Sequence, residues 1–220
     1  MSATTPETIT IPVSDSIGAV SGLLILPEHP KALMVLAHGA GAGMEHAFME
    51  KLAWQLAGVG IGTLRYNFPF TENKKKRPDV AAVAEKTVGA ALAKARELFP
   101  KLPLFAAGKS FGGRMSSRFL SGKSDTGIRG IVFYGFPLHP AGAPATDRAE
   151  HLGQVAVPIL FLQGTRDALA DLTLITQVCG KLPLATLVTF EGADHSFKKG
   201  KKEFIEELVP ATADWLKEKL

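Results

Sequence analysis

The stretch LFAAGKSFGGRM, residues 104–115, carries two overlapping motifs that predict different backbone structures. Its GKS, residues 108–110, matches the end of the phosphate-binding loop G-x-x-x-x-G-K-[ST]. Its GKSFG, residues 108–112, matches G-x-S-x-G, in which a serine stands on a tight turn between a strand and a helix. The flanking residues decide between the two interpretations.

The residues before Gly108 do not fit a phosphate-binding loop. That motif requires glycine at position 103, where the chain has Pro103, and a loop where the chain has the apolar run 104–107. A backbone segment paired in a buried strand cannot also wrap around a phosphate. No apolar run ends directly in an aspartate that would help to hold Mg²⁺. The sequence therefore favours the serine turn.

The serine turn has a steric requirement of its own, which the chain meets. Bulky side chains two positions either side of the serine would collide with the turn, and Gly108 and Gly112 stand there. The residues that follow, 111–122, predict a helix. The order of strand, Ser110 and helix is the one that this motif demands.

Six short apolar runs flanked by glycine or proline predict strands buried on both faces. They span residues 32–38, 61–66, 103–108, 128–134, 158–164 and 185–191. Between them, helices are predicted at 46–58, 79–99, 111–122, 170–182 and 202–220, the last kinked or split at Pro210. A strand at 18–27 is expected to pair antiparallel with 8–13. This alternation predicts one α/β domain over residues 1–220, with a doubly wound, mostly parallel sheet and helices on both faces.

Two more reactive side chains follow predicted strands at the edge of the sheet where ligands bind. Asp167 comes just beyond the fifth predicted strand and His195 just beyond the sixth. A serine hydroxyl becomes a strong nucleophile when a histidine removes its proton and a carboxylate orients that histidine. The sequence therefore predicts a catalytic triad of Ser110, Asp167 and His195. Asp171, expected inside the next helix, and Asp194, adjacent to the histidine, are poorer orienting groups.

An oxyanion hole requires two N–H donors beside the nucleophile. The amide of Phe111, at the start of the predicted helix, is one expected donor, and that of Ala40, in the small-residue loop HGAGAGMEH at 38–46, is the other. The same loop has a competing interpretation as a dinucleotide fingerprint, with Arg65 placed to bind a 2′-phosphate. G-x-G-x-x-G requires a glycine where the chain has Met44, and this interpretation leaves the triad unexplained.

Composition and charge narrow the class of protein. The chain has 220 residues, 46% hydrophobic and 21% charged, as is usual for a soluble globular domain. Its one cysteine, Cys179, cannot form an internal disulfide. No apolar run reaches the roughly 18 residues of a membrane span, and residues 1–15 lack the pattern of a signal peptide. We therefore expect a cytoplasmic protein that does not bind a membrane.

The net charge of +4 is concentrated in two lysine-rich runs, KKKR at 74–77 and KKGKK at 198–202. Neither run is interleaved with the aromatic residues that stack on single-stranded bases. We interpret both as solvated loops and expect no nucleic acid partner. The sequence leaves the oligomeric state open.

With these residues placed, the chain resembles the α/β-hydrolase superfamily over essentially its whole length. The likeness is to a compact branch related to dienelactone hydrolases, which includes a testis-expressed protein and a subunit of a chromatin acetyltransferase complex. The segments that carry it are HGAGAGMEHAFM (38–49), LRYNFPF (64–70), GKSFGGRM (108–115), YGFPLHPAG (134–142), GTRD (164–167) and GADHSF (192–197). The resemblance implies little about the substrate, because much of the branch has no defined activity.

Further side chains are expected near the same edge of the sheet. Arg65, Asn67 and His139 are candidates for contact with a polar or anionic substrate group. The alternative is that Arg65 pairs with a buried carboxylate and that His139 anchors its proline-rich loop. His38 is expected to orient the oxyanion loop. The short connection between the fourth and fifth predicted strands leaves no room for a large lid domain.

These observations predict a serine hydrolase that cleaves a carboxylic ester or thioester of a small molecule. The chemistry uses no metal ion and no organic cofactor. The alternative is a binding or scaffold protein that keeps the fold without catalysis. The complete set of triad residues argues against that alternative, since a scaffold has no need of all three.

Overall fold

The structure is a computed structural model that describes residues 5–220. An eight-stranded sheet forms its centre. In chain order the strands are β1 (Glu7–Ser14), β2 (Gly18–Ile25), β3 (Ala32–Ala37), β4 (Ile61–Tyr66), β5 (Leu104–Lys109), β6 (Ile128–Tyr134), β7 (Ile159–Gly164) and β8 (Ala185–Phe190). They lie side by side in the order β1-β2-β4-β3-β5-β6-β7-β8. β1 pairs antiparallel with β2, β2 pairs antiparallel with β4, and the other pairs are parallel. The predicted mostly parallel α/β sheet is confirmed.

Helices cover both faces of this sheet. They are α1 (Ala47–Gly58), α2 (Pro69–Glu72), α3 (Ala81–Leu98), α4 (Phe111–Leu120), α5 (Leu172–Gly180) and α6 (Ile205–Lys217). Met49, Leu52 and Leu56 of α1 share one core with the buried apolar residues of α6, whereas those of α3, α4 and α5 belong to the other. Alternate residues of β3 enter opposite cores, Met34 on one face and Val35 on the other, because successive strand side chains point in opposite directions. The doubly wound arrangement follows.

The connection between β6 and β7 carries no lid domain. Within residues 135–158 the regular element is a 3₁₀ helix, Asp147–Gln154. The predicted absence of a large lid is confirmed. Among the described helices, none combines the length and the apolar character that crossing a bilayer would require.

Three details of the sequence interpretation are wrong. β8 is the edge strand and only Phe190 in it is buried, because no further strand covers its outer side. α6 runs through Pro210 as one helix, so the predicted split does not occur, since residues around the proline, among them Leu208 and Trp215, are buried in the core, whereas the alternative of a kink stays a prediction. α3 begins at Ala81 rather than at Asp79, whose carboxylate accepts a hydrogen bond from the amide of Phe70.

The lysine-rich run at 198–202 also has more structure than a solvated loop. β9 (Lys198–Lys199) and β10 (Lys202–Glu203) pair as a short antiparallel hairpin. Glu203 in this hairpin forms salt bridges with Lys198 at 3.0 Å and with Lys51 of α1 at 2.8 Å. The hairpin is thereby fastened to the first helix.

Candidate active site

Ser110 stands at the turn between β5 and α4 in a backbone conformation that side chains rarely adopt. Its φ is 51° and its ψ is −116°. Strained positive-φ positions of this kind cost on the order of 1–3 kcal/mol and persist where the surrounding structure enforces them. Here the amide of Ser110 donates to the carbonyl of Tyr134, which ties the turn to β6. The turn carries the hydroxyl to the carboxyl edge of the sheet.

The two glycines that flank this serine are sterically required. A Cβ on Gly108 would collide with the backbone nitrogen of Gly113. A Cβ on Gly112 would come within 2.5 Å of the carbonyl oxygen of Ala37. Both obstacles are backbone atoms, which cannot move aside as a flexible side chain can. The geometry agrees with the steric reason given for G-x-S-x-G.

The structure brings Ser110, His195 and Asp167 together in one chain of hydrogen bonds. His195 Nε2 lies 2.9 Å from Ser110 Oγ, and His195 Nδ1 lies 2.7 Å from Asp167 Oδ2. An ionised carboxylate only accepts hydrogen bonds, so Nδ1 carries the ring proton and Nε2 is free to accept the proton of the hydroxyl. This tautomer is the one that a general base acting on the serine must have.

Asp167 is held in place by two donors besides the histidine. Its Oδ2 accepts from Gln163 Nε2 at 2.6 Å and its Oδ1 accepts from the amide of Leu169 at 2.8 Å. The side-chain oxygen of Gln163 in turn accepts from the amide of Phe136 at 2.9 Å. The sequence analysis missed Gln163, although its place within the strand before Asp167 was a usable signal. Its amide fixes the carboxylate and links it to the loop that follows β6.

The two poorer carboxylates have other partners. Asp171 is the N-cap of α5, not a residue inside the helix, and accepts from the amide of Leu174 at 2.9 Å. Asp194 Oδ1 accepts from the amides of Ser196 and Lys198, which closes the turn that carries His195. Neither is hydrogen-bonded to the imidazole.

The small-residue loop at 38–46 lies against the serine turn. A Cβ on Gly39 would be 3.7 Å from Ser110 Cβ, and a turn bonds the amide of Ala42 to the carbonyl of Gly39, with the exposed Ala40 between them. Phe111 is the first residue of α4, where the amide has no acceptor within its own helix. The loop that contains Ala40 and the start of α4 at Phe111 therefore both adjoin the serine turn.

His38 holds this loop from behind. Its Nδ1–H donates to the carbonyl of Gly39 at 2.8 Å, and its Nε2 accepts from the amide of Phe68 at 3.1 Å. The side chain is fully buried, and burial lowers the pKa of His38 to about 4. A neutral imidazole that uses both nitrogens in this way orients the loop, and it has no free nitrogen for proton transfer.

Arg65 and Asn67 support the same loop instead of lining an open site. Arg65 is 2% exposed and donates from Nη1 to the carbonyl of Met44, so it pairs with a main-chain oxygen and not with a carboxylate. Asn67 Oδ1 accepts from the amide of Met44, and its Nδ2 donates to Glu72. Both side chains thus hydrogen-bond to the main chain of Met44, in the loop at 38–46.

His139 anchors its proline-rich loop. Its Nδ1–H donates to the carbonyl of Pro140 at 2.8 Å, and its Nε2 accepts from the amide of Asp171 at 2.7 Å. With 3% of its surface exposed and both nitrogens occupied, the ring ties the loop after β6 to the start of α5.

Lys109 is the residue between Gly108 and Ser110 in the turn, and the sequence analysis gave it no role. Its ammonium donates to the main-chain oxygen of His195 at 2.6 Å and lies 5.5 Å from the centre of the Phe197 ring. Burial lowers the pKa of Lys109 to about 8, with the negative charges of Asp167 and Asp194 acting in the opposite direction. A cavity of about 300 Å³ opens beside it, next to the loop that carries His195.

The comparison with known families identifies the architecture. A family described as "Alpha/beta hydrolase domain" matches residues 30–210, which span the serine turn, Asp167 and His195. The chain is a member of this α/β hydrolase family.

Solved structures share the fold of this hydrolase domain. An α/β serine hydrolase homologue from Coxiella burnetii superposes with a TM-score of 0.78 at 21% identity, covering 98% of this chain and 100% of that one. A dienelactone hydrolase from Anabaena variabilis superposes with a TM-score of 0.77 at 18% identity, covering 99% and 100%. The predicted resemblance to the dienelactone-hydrolase-like branch is confirmed at the level of the fold.

A curated relative is longer than this chain. It is the "Putative phosphoribosyl transferase Rv0571c" of Mycobacterium tuberculosis, 26% identical over 202 residues. The match covers 89% of this chain but only 43% of that protein. The hydrolase domain therefore spans less than half the length of this relative.

The hydrolase domain contains a second serine–histidine contact, Ser117 with His151. Ser117 Oγ lies 2.7 Å from His151 Nε2 and also donates to the carbonyl of Arg114 at 2.9 Å, so the ring N–H is the donor to the hydroxyl. Ser117 is fully buried within α4. Burial, and secondarily the charges of Arg118 and Arg114, lower the pKa of His151 to about 4. This contact ties α4 to the 3₁₀ helix and presents no nucleophile to solvent.

No other group of ligating side chains stands out within residues 5–220. In that part of the hydrolase domain, three or more His, Cys, Asp or Glu side chains nowhere gather in a geometry that could hold a metal ion. Cys179 is a buried free thiol in α5, and burial raises its pKa to about 12. The residues grouped around Ser110 are thus the candidate site of this domain.

Proposed function

We propose that the chain is a serine hydrolase that cleaves a carboxylic ester or thioester of a small molecule. The observation that carries the proposal is the unbroken chain of hydrogen bonds from Ser110 Oγ through His195 to Asp167. It occurs on a positive-φ turn at the carboxyl edge of a parallel sheet, which is where this fold presents its ligands. Membership of the α/β hydrolase family supports the same proposal.

The proposed reaction proceeds in two steps through an acyl-enzyme. Ser110 Oγ attacks the carbonyl carbon while His195 Nε2 takes the hydroxyl proton, and Asp167 stabilises the imidazolium that results. The histidine then gives this proton to the departing alcohol or thiol. In the second step His195 takes a proton from water, the water attacks the acyl carbon, and the carboxylic acid leaves as Ser110 recovers its proton.

The negative charge on the carbonyl oxygen is proposed to be stabilised by the amides of Phe111 and Ala40. A donor of this kind contributes about 10²–10³-fold to the rate in a preorganised site. The support is that Phe111 directly follows Ser110 at the start of α4, and that the loop at 38–46, which carries Ala40, lies against the serine turn and is held by hydrogen bonds. The side chains of His38, Arg65, Asn67 and Thr71 hydrogen-bond to main-chain atoms of that loop.

A cavity lined by Lys109 and by residues 194 and 196–198 of the loop that carries His195 adjoins the triad, and its size supports a small substrate. Its volume of about 300 Å³ is at the lower end of the range for small-molecule sites. The connection from β6 to β7 places no lid over the edge of the sheet. An ester or thioester with a short acyl or leaving group fits such a site better than a long lipid chain does.

The alternative is a binding or scaffold protein that retains this fold without catalysis. Such a protein needs no strained serine, yet Ser110 is held at φ 51° in contact with His195. Strain of this size is kept where the conformation has a use. The hydrolase proposal accounts for the strain, and the scaffold proposal does not.

A fluorophosphonate probe tests the hydrolase proposal directly, because it reacts with an activated serine. We expect stoichiometric labelling of the wild-type protein, located at Ser110 by peptide mass spectrometry. Ser110→Ala should abolish labelling. Ser117→Ala is the matched control, since this serine also contacts a histidine but is buried, and the variant should label as the wild type does.

Turnover of short-chain chromogenic esters and thioesters completes the test. We expect hydrolysis that Ser110→Ala abolishes and Ser117→Ala retains. A folded wild-type protein that neither labels nor hydrolyses these compounds would favour the scaffold alternative. Labelling that persists in Ser110→Ala would mean that another residue is the nucleophile.

A further inference from the structure

The cavity beside the serine turn is lined by a lysine side chain that forms no ion pair with a described residue, and the triad side chains border the cavity without being part of its lining. Three lysines line it, and two of them, Lys51 and Lys198, pair with Glu203. The third, Lys109, has no carboxylate within ion-pair distance among residues 5–220. Its hydrogen bond goes to a neutral acceptor, the main-chain oxygen of His195. An ammonium group has three N–H donors, so this bond leaves donor capacity for a ligand.

The rest of the lining suits an apolar segment that ends in a charge. Phe48 and Phe197 stack with their centres 6.1 Å apart and, with Ile205, form apolar walls. The charged lining consists of three lysines against Asp194 and Glu203, so the cavity carries a net positive charge. Of the two oxygens of Asp194, Oδ1 accepts from two backbone amides of its own turn.

The ammonium lies close to the reacting groups. A Cβ on Gly135 would be 3.2 Å from Lys109 Nζ and 3.5 Å from His195 Nδ1, so both atoms border the same point. His195 in turn contacts Ser110 Oγ at 2.9 Å. The ammonium and the nucleophile therefore both border the imidazole of His195, and a substrate that reaches both has to pass along the edge of this ring.

We propose that this cavity is the subsite for a negatively charged group of the substrate, and that Lys109 selects esters or thioesters bearing a carboxylate or phosphate a few carbon atoms from the scissile carbonyl. The inference rests on the proposed hydrolase function and names its substrate class. A bound anion supplies Lys109 with a direct ion-pair partner, which none of residues 5–220 provides. Hydrogen bonds between charged groups are about twice as strong as those between neutral groups.

The selectivity is expected to depend on pH because burial lowers the pKa of Lys109 to about 8. Below this pH the ammonium attracts an anion, and above it the neutral amine does not. Lys109→Arg removes the dependence, since a guanidinium stays protonated throughout the usable range. The charged and titratable groups around the ammonium, all of which enter the interpretation of a pH profile, are His46, Lys51, Asp167, Asp194, His195, Lys198 and Glu203.

The test compares two esters with six-carbon acyl groups and the same leaving group, mono-4-nitrophenyl adipate, whose chain ends in a carboxylate, and 4-nitrophenyl hexanoate, whose chain ends in a methyl group. The measured quantity is the ratio of their kcat/KM values, after subtraction of spontaneous hydrolysis. We expect Lys109→Met to lower this ratio about 10-fold or more at pH 7, the size of effect typical of a lost hydrogen bond to a charged group. Lys109→Arg should keep it within about 3-fold. Any loss of alignment of His195 affects both esters and cancels in the ratio.

Lys51→Met is the matched control. Lys51 lines the same cavity but is more than half exposed and already paired with Glu203. We expect its removal to change the ratio by less than about 2-fold. In the wild type, the ratio should fall as the pH rises from 7 to 9, and in Lys109→Arg it should stay constant.

The outcomes separate this inference from the proposed function. Fluorophosphonate labelling of each variant reports whether Ser110 is activated, independently of the substrate. Labelling and hexanoate turnover with a ratio that neither the pH nor Lys109→Met changes would overturn the anionic subsite and leave the hydrolase standing. A wild-type protein without labelling or turnover would overturn both. If Lys109→Met does not fold, the wild-type pH dependence and Lys109→Arg still decide.

Discussion

The conformation of Ser110 has a cost that a pair of substitutions can measure. Its φ of 51° with ψ of −116° lies in a region that glycine occupies freely and other residues do not. Ser110→Ala and Ser110→Gly both remove the hydroxyl, but only glycine relieves the strain. Relief of the strain should raise the free energy of unfolding by on the order of 1–3 kcal/mol. The greater conformational freedom of glycine in the unfolded chain should lower it by about 0.4–1 kcal/mol.

We therefore expect Ser110→Gly to be more stable than Ser110→Ala by about 1 kcal/mol, although glycine at an ordinary position is the less stable of the two. For a chain of this length, that difference corresponds to a melting temperature higher by about 2–4 °C. Urea titration and thermal unfolding by circular dichroism measure it. A Ser110→Gly protein less stable than Ser110→Ala would refute the reasoning, because it would mean that the turn stores no strain.

Three further predictions concern the residues around this turn. Gly108→Ala should lower the melting temperature by about 6 °C or more, because its Cβ meets the backbone of Gly113, whereas Gly153→Ala, with open space around it, should not. His38 has a pKa lowered to about 4 in the folded protein against 6.5 when unfolded, so the unfolded chain binds the proton first and stability falls as the pH drops from 6.5 towards 4. The loss between pH 7 and 4.5 should be roughly 2–3 kcal/mol smaller in His38→Gln by urea titration, and an unchanged loss would contradict the assignment. Asp167→Asn should fold normally yet lower kcat by roughly 10³–10⁴-fold, since an amide no longer holds the imidazole in the required tautomer, and near-normal turnover would argue against its proposed role.

The sequence was sufficient for the features that follow from local pattern. The strands of the parallel sheet are short apolar runs, and the side chains at their carboxyl ends meet at one edge whatever the details of packing. Ser110, Asp167 and His195 could therefore be grouped from their positions after three such runs. The glycines beside Ser110 were equally accessible, because the steric demand of the turn is local.

The features that the sequence could not supply depend on contacts between distant segments. Arg65 was a candidate for substrate contact, yet it donates to the carbonyl of Met44, 21 residues earlier. His139 meets the amide of Asp171, 32 residues later. Hydrogen bonds of this range are set by how loops pack on one another, which no periodicity encodes. The predicted start of α3 was wrong for the same reason, because the carboxylate of Asp79 accepts a hydrogen bond from the amide of Phe70 and does not cap its own helix.

The parallel arrangement of the strands also has a consequence for how the site is assembled during folding. The contact between Ser110 and His195 joins residues 85 positions apart, and β6 and β7 lie between the strands that carry them. Parallel strands can pair only after long loops have closed, a slow step relative to the formation of local helices. The pocket around the nucleophile therefore cannot exist in a half-built sheet. After dilution from urea, fluorophosphonate labelling of Ser110 should recover more slowly than the helical circular dichroism signal. The time course of labelling would then report when the last strands of the sheet pair.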